Sequence, residues 1–106
     1  MSNVVILTDQ EWGRGKTGGQ LFDGKRYCIL GSMLRSLGQH LEEGDSLPSV
    51  DHVEVLSETG VLESCRRRLM DFNDMVGLDD KARVANFNDV LKGTGWEIFL
   101  AQTVDC

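Results

Sequence analysis

The chain has 106 residues, of which 41% are hydrophobic and 26% charged, and its 17 acidic and 11 basic side chains give a formal net charge of −6. This length fits one domain over residues 1–106, and the longest apolar runs, of four residues, are too short to cross a bilayer. The acidic balance argues against non-specific nucleic-acid binding, which relies on many Lys and Arg contacts to phosphates, and it suits a basic protein partner.

The N-terminal segment predicts one strand followed by a loop. Asn3–Leu7 is mostly apolar and rich in β-branched residues, which is the composition of a short strand. Residues 13–24 contain five glycines and therefore predict a loop or a loose hairpin. Residues 26–28 are consistent with a short return strand. The sequence thus predicts a small β segment at the start of the chain.

Two helices are predicted on either side of a linker that contains the single proline of the chain. Apolar residues recur every three or four positions from Cys28 or Ile29 to Leu41, which predicts the first helix. Ser49 is suited to cap a second helix that runs to Leu56. The valines of this second segment also alternate with polar residues, so a strand over the same residues is the alternative to a helix.

The strongest helical pattern covers residues 61–76 and stops before Gly77. Its apolar positions recur every three or four residues, and the opposite face is charged. Leu69 and Phe72 are therefore expected in the core. A shorter helix is predicted over residues 81–87, because two aspartates directly before it favour the positive end of a helix.

A final helix is predicted from Thr94, because Thr94 and Glu97 form the Ser/Thr-x-x-Glu pattern of a capping box. This helix would dock through Trp96 and Phe99. Taken together, the elements predict a mainly α fold, with four or five short helices and a small N-terminal β segment in a single domain.

The glycine-rich loop imitates a phosphate-binding motif. Residues 13–18 match the Gly-x-Gly-x-x-Gly pattern, and residues 15–17 imitate the end of a phosphate loop. Both motifs need a helix directly after the glycines, and residues 19–24 do not predict one. The phosphate loop also needs a glycine where this chain has Gln10. A plain loop is therefore expected.

The three cysteines are widely spaced and form no Cys-x-x-Cys pair, which favours a reducing compartment and no metal site. Cys28 lies where a helix is predicted to begin, a position that can lower the pKa of a thiol. With His52 as base and Asp51 beside it, Cys28 is the candidate nucleophile of a cysteine hydrolase. The alternative is a core cysteine, which is also the expectation for Cys65, while Cys106 ends the chain.

The charged residues offer candidate binding groups but no pattern typical of catalysis or metal binding. A basic face at Arg66–Arg68 would suit a DNA-binding regulator, yet three acidic residues within two helical turns dilute it. The candidate binding residues are Arg66, Arg67, Glu42, Glu43, Asp79 and Asp80.

Two short segments of the chain repeat each other. Residues 71–76 (DFNDMV) and 86–91 (NFNDVL) share Phe-Asn-Asp, fifteen positions apart. Two copies of this length do not make a repeat protein. Phenylalanine in a core position and Asn-Asp at a helix end account for the likeness.

Residues 24–34 (GKRYCILGSML), preceded by Glu11 and Trp12, and residues 83–89 (RVANFND) carry a resemblance. They resemble a family of small uncharacterised proteins from bacteriophages and actinobacteria. Its members pair a Cys-x-Leu-Gly-Ala helix start with a later Phe/Trp-Asn-Asp turn. Ser32 stands where that family usually has alanine. The resemblance implies a phage or prophage origin and supplies no catalytic residue.

These observations predict a non-enzymatic, acidic binding protein, encoded by a phage or prophage. It would act in the host cytoplasm by occluding a host or defence-system protein whose surface is basic. No cofactor or metal is expected. A cysteine-dependent hydrolase using Cys28 and His52 is the alternative, followed by a DNA-binding regulator.

Overall fold

The computed structural model describes residues 3–13, 20–46 and 50–101, and these residues form four helices and two strands. The glycine-rich motif beyond Gly13, the predicted cap Ser49 and Cys106 lie outside the described residues. In chain order the elements are β1 (Asn3–Leu7), α1 (Ile29–Ser36), α2 (Val50–Glu58), α3 (Glu63–Asp74), α4 (Asp80–Val90) and β2 (Trp96–Leu100).

The last element is a strand, and the predicted helix from Thr94 is wrong. β2 pairs with β1 in parallel, from Asn3 opposite Trp96 to Leu7 opposite Leu100. Thr94 forms a turn instead of a helix cap: its hydroxyl donates to the Leu91 carbonyl and accepts from the Trp96 N–H. The following residues alternate between buried and exposed, a period of two that belongs to a strand.

The alternation gives the two-stranded sheet a buried face and an outer face. The buried face packs on the helices and belongs to the core, whereas the outer face is covered by no described element. The core face carries Val5, Leu7, Trp96 and Ile98. The outer face carries Val4, Ile6, Glu97 and Phe99.

The first two helices are partly as predicted. α1 begins at Ile29 with Cys28 as its N-cap, but it ends at Ser36 rather than at Leu41. Gly38 follows with a φ of 82°, a left-handed conformation that ends helices. α2 is a helix, so the strand alternative is wrong. The predicted return strand over residues 26–28 is reduced to isolated bridges at Tyr27.

The two later helices differ from the predictions mainly in their ends. α3 stops at Asp74, so Val76 lies in the following turn and is 88% exposed. Leu69 is fully buried as predicted, while Phe72 is only partly buried at the margin of the core. α4 runs to Val90, beyond the predicted end at residue 87, and is capped by the Asp79 carboxylate, which accepts from the Ala82 N–H at 2.8 Å.

A glycine permits a close contact between α1 and the loop before it. A Cβ atom on Gly31 would lie 2.1 Å from the Leu21 carbonyl oxygen, far inside a permitted contact. That carbonyl accepts from the Cys28 N–H at 3.2 Å. Gly31 therefore costs helix propensity but allows the N-terminal loop to lie directly on α1.

One buried asparagine joins three parts of the fold. Asn73, near the end of α3, is fully buried. Its Oδ1 accepts from the indole Nε1–H of Trp12 and from the backbone N–H of Ile29, both at 3.0 Å. Its Nδ2 donates to the Gly13 carbonyl at 3.2 Å. The side chain thus fixes the start of α1 and the N-terminal loop against α3.

A buried arginine closes the same end of α3. The Nη1 atom of Arg83 donates to the carbonyls of Phe72, Asn73 and Met75, at 2.6, 2.9 and 2.9 Å. Its Nη2 donates to the Leu78 carbonyl at 2.8 Å. The last carbonyls of a helix lack partners within the helix and carry partial negative charge, so a guanidinium satisfies both their hydrogen bonding and their charge.

Candidate functional site

The outer edge of β1 has free backbone groups. The Asn3 N–H donates to the Gly95 carbonyl and the Leu7 carbonyl accepts from the Ala101 N–H, both at 2.8 Å. Successive residues of a strand turn their backbone groups to opposite sides, so Val4 and Ile6 turn theirs away from β2. Within residues 3–13, 20–46 and 50–101, these N–H and C=O groups make no hydrogen bond.

The outer edge of β2 is closed by a side chain. Asn88 of α4 donates from Nδ2 to the Ile98 carbonyl at 2.9 Å, and its Oδ1 accepts from the Ile98 N–H at 2.8 Å. These two bonds reproduce what a neighbouring strand would give Ile98. An amide side chain therefore ends the sheet at β2, while β1 keeps an open edge.

The outer face of the sheet is apolar and exposed. Val4, Ile6 and Phe99 are 48%, 62% and 48% exposed, and Ile6 lies directly opposite Phe99 in the strand register. Parallel strands in proteins are usually covered on both faces, and contiguous exposed apolar residues commonly mark interaction sites. Glu97, opposite Val4, adds one carboxylate to this face. We refer to these four residues as the outer sheet face.

A groove of about 220 Å³ lies between β1 and α1. The wall opposite β1 is polar. Arg35 and Glu11 form an ion pair of 2.7 Å at the rim, with both side chains about half exposed, and the Arg35 guanidinium also lies 4.9 Å from the centre of the Tyr27 ring. We call this groove the β1 groove; it is lined by residues 4–8 together with Glu11, Trp12, Ser32, Arg35 and Ser36.

The charged residues predicted to bind a partner lie on other segments. Arg66 is half-buried and donates to the Val61 carbonyl at 2.8 Å, so its charge is engaged within the fold. Arg67 is exposed and pairs with Glu63 at 3.2 Å. None of the six predicted residues lines the β1 groove. They lie in three places: Glu42 and Glu43 in the turn after α1, Arg66 and Arg67 on α3, and Asp79 and Asp80 at the start of α4.

The environment of Cys28 stabilises a thiol rather than a thiolate. Cys28 lies at the predicted start of α1, where it is the N-cap, and its Sγ accepts from the Gly31 N–H at 3.4 Å. Burial nevertheless raises the pKa of this thiol to about 11 and outweighs the lowering by the Gly31 hydrogen bond. His52 lies on α2, and within the described residues its buried Nδ1 makes no hydrogen bond. The raised pKa of Cys28 is what a core cysteine would show, and the hydrolase hypothesis stays a prediction. Cys65 is partly buried against the core.

Sequence reasoning missed the outer sheet face because it depends on β2. Once residues 96–100 are assigned to a helix, β1 has no partner and no free edge can be identified. Residues 96–100 read Trp-Glu-Ile-Phe-Leu, so the sequence does not alternate between apolar and polar residues there, and the alternation of buried and exposed side chains appears only in the structure. The capping-box pattern at Thr94 favoured a helix instead.

Neither metal binding nor membrane spanning receives support from the described ranges. They contain no cluster of three or more His, Cys, Asp or Glu side chains placed to hold a metal ion. None of the helices in these ranges is long and apolar enough to cross a membrane. Comparisons with protein-family models, with curated proteins and with solved structures gave no match.

Proposed function

We propose that this chain is a non-enzymatic binding protein, of phage or prophage origin, that occludes a basic surface of a host or defence-system protein. The observation that carries the proposal is the open edge of β1 beside an exposed apolar sheet face. Within the described residues, this two-stranded parallel sheet has no cover on one face and no neighbour at the β1 edge, so it is incomplete as a sheet. A protein partner would supply both.

The charge of the chain supports a basic partner. The net charge of −6 repels nucleic acid and other acidic surfaces, and it accelerates the approach of a basic protein. Near the proposed contact, Glu97 stands on the outer sheet face and Glu11 at the rim of the β1 groove. Arg35 is the one basic residue lining the β1 groove among the described residues, and it is paired with Glu11.

The chemistry of the surface favours binding over catalysis. The outer sheet face offers three apolar side chains and a carboxylate, without a cysteine, histidine or serine. Burying such apolar side chains against a partner lowers the free energy of binding by about 25 cal/mol for each Å² of surface removed from water. A protein that covers a partner by this means blocks it without changing it chemically.

The proposal is tested by affinity capture with matched charge variants. The double variant Ile6→Lys with Phe99→Lys places two charges on the outer sheet face. The control Val76→Lys places a charge on a side chain that is 88% exposed and lies in the turn after α3. We expect a protein captured from bacterial lysate by the unmodified chain and by the control to be lost with the double variant. Identical capture by all three would contradict the proposal, provided circular dichroism shows that each is folded.

A further inference from the structure

We infer that the β1 groove binds an extended segment of the partner as an added strand, and that apolar residues alternate with Lys or Arg in this segment. The inference rests on the proposed function and specifies how the partner is held. It differs from docking on the outer sheet face alone, because it assigns the main contact to the backbone of β1.

The backbone of β1 is arranged for strand addition. With respect to the described residues, Val4 and Ile6 each present a free N–H and a free C=O on the same side, two residues apart. This spacing of about 6.6 Å is one full repeat of a strand, so an added strand can bond both residues without changing β1. Asn88 already occupies the corresponding groups of Ile98 on β2. Among the described strands, β1 is therefore the one that can accept a neighbour.

The two sides of the added strand would meet different surfaces. Side chains on one side would lie beside Val4 and Ile6, where β-branched and aromatic residues pair favourably across strands. Side chains on the other side would enter the β1 groove, whose α1 wall contains Ser32 and Ser36. The sheet therefore imposes an alternation of apolar and polar residues on whatever segment it binds.

The acidic charge of the chain favours basic side chains at the polar positions of the added strand. Glu11 at the rim of the groove can accept hydrogen bonds from a Lys or Arg, and Arg35 is already paired with it and packed over Tyr27. The net charge of −6 disfavours an acidic segment over the whole approach. It also disfavours a second copy of this chain on the same edge, since two copies would carry like charges.

The experiment is a ¹⁵N-NMR titration of the full chain with synthetic peptides of about eight residues, the length of an ordinary strand. One peptide alternates Val and Lys, and a second alternates Val and Glu. The third has the same number of Val and Lys residues as the first, with all the Val residues before all the Lys residues. We expect the alternating Val–Lys peptide to shift the amide signals of Val4 and Ile6 and to slow their hydrogen exchange. We expect its affinity to exceed that of the other two by about tenfold, the ratio that 1.4 kcal/mol represents.

Backbone variants separate strand addition from face docking. The Ile6→Pro variant removes an N–H that points away from β2, so the β1–β2 ladder keeps its hydrogen bonds. We expect this variant to lose about tenfold in affinity for the Val–Lys peptide, because a lost hydrogen bond is worth up to about 1.5 kcal/mol. The control Phe99→Ala, which changes the outer sheet face on β2 and leaves the backbone of β1 intact, should keep its affinity within about threefold. In an added strand, every second residue points its N–H toward β1. N-methylation of those residues should abolish binding, and N-methylation of the residues between them should not.

Several outcomes would overturn the inference while leaving the proposed function intact. If a captured partner is lost with the Ile6→Lys and Phe99→Lys changes but retained by Ile6→Pro, the partner docks on the face and adds no strand. Equal binding of all three peptides, or no binding of the Val–Lys peptide, would also overturn it. So would sedimentation showing a dimer of this chain that Ile6→Pro dissociates, because a second copy would then occupy the edge.

Discussion

Asn73 and Asn88 occupy the same place in the two copies of Phe-Asn-Asp, and the fold uses them differently. Asn73 is fully buried and bonds the Trp12 indole, the Ile29 N–H and the Gly13 carbonyl. Asn88 is half-buried and bonds a single residue, Ile98, with both ends of its amide. Each copy lies in the last turns of a helix, which agrees with the prediction of helix-end usage.

The comparison shows what an asparagine can do beyond ending a helix. An amide side chain carries a donor and an acceptor in the geometry of the peptide bond, so it can stand in for a missing strand or satisfy a loop. Asn73 does this where water is excluded, and Asn88 does it at the edge of the sheet. The asparagine of the same tripeptide therefore satisfies buried backbone and side-chain groups in one place and the edge of a strand in the other. Three measurements test whether the two asparagines differ in this way.

The largest effect is expected at the interior site. Asn73→Ala removes the acceptor for the Trp12 Nε1–H and the Ile29 N–H and the donor to Gly13. Buried groups left without partners cost about 1–3 kcal/mol each, so we expect a loss of about 4 kcal/mol in the free energy of unfolding. Urea denaturation measures this loss. The matched control is Asn86→Ala, because Asn86 is a half-buried asparagine of the other copy whose side chain makes no hydrogen bond to a described residue. A similar loss for both variants would contradict the special role of Asn73.

The pH dependence of stability reports whether water reaches the interior beside Asn73. Folded Cys28, adjacent to Ile29, has its pKa raised to about 11, whereas the unfolded thiol ionises near its ordinary pKa of 9.0. Below pH 9 both states keep the proton, so the full stability is present. As the pH rises from 9.0 to about 11 the unfolded state loses its proton first, and about 3 kcal/mol of stability is lost.

The measurement compares the unmodified chain with Cys28→Ala, which lacks this titration. The difference between their free energies of unfolding should shrink as the pH rises from 9.0 to about 11, since the other titrating groups are common to both proteins. Parallel curves over this range would show that water reaches Cys28 and that the Asn73 site is not dry. Slow alkylation of Cys28 by iodoacetamide in the native protein provides an independent check.

The smallest effect is expected at the sheet edge. Asn88→Ala frees the N–H and C=O of Ile98, which water can then reach, so we expect a loss of about 1–2 kcal/mol. The local signature is faster hydrogen exchange at the Ile98 amide, with the Val5 amide, which faces β2, unaffected. If Asn88→Ala proves as costly as Asn73→Ala, the two asparagines are equivalent and the distinction between interior and edge is wrong.

Elements with local signals could be predicted from the sequence. β1 follows from its β-branched run, α3 from its apolar stripe, and the start of α1 at Cys28 or Ile29 from the apolar periodicity that begins there. The acidic charge and the lack of a membrane-spanning apolar run needed no structure. Helix ends were less predictable, because the periodicity of residues 61–76 continues past Asp74, where the Arg83 guanidinium binds the carbonyls of the turn.

The assignment of β2, the open edge of β1 and the roles of the two asparagines depend on long-range pairing. Residues 96–100 follow a helix-cap pattern but contain Trp, Ile and Phe, which favour strands, and pairing with β1, nearly a chain length away in sequence, selects the strand. Only then does β1 acquire an edge that is paired and an edge that is free. Hydrogen bonds and contacts that form only when the chain folds leave no periodic pattern in the sequence, which is why the roles of Asn73 and Asn88 and the β1 groove could not be predicted from it.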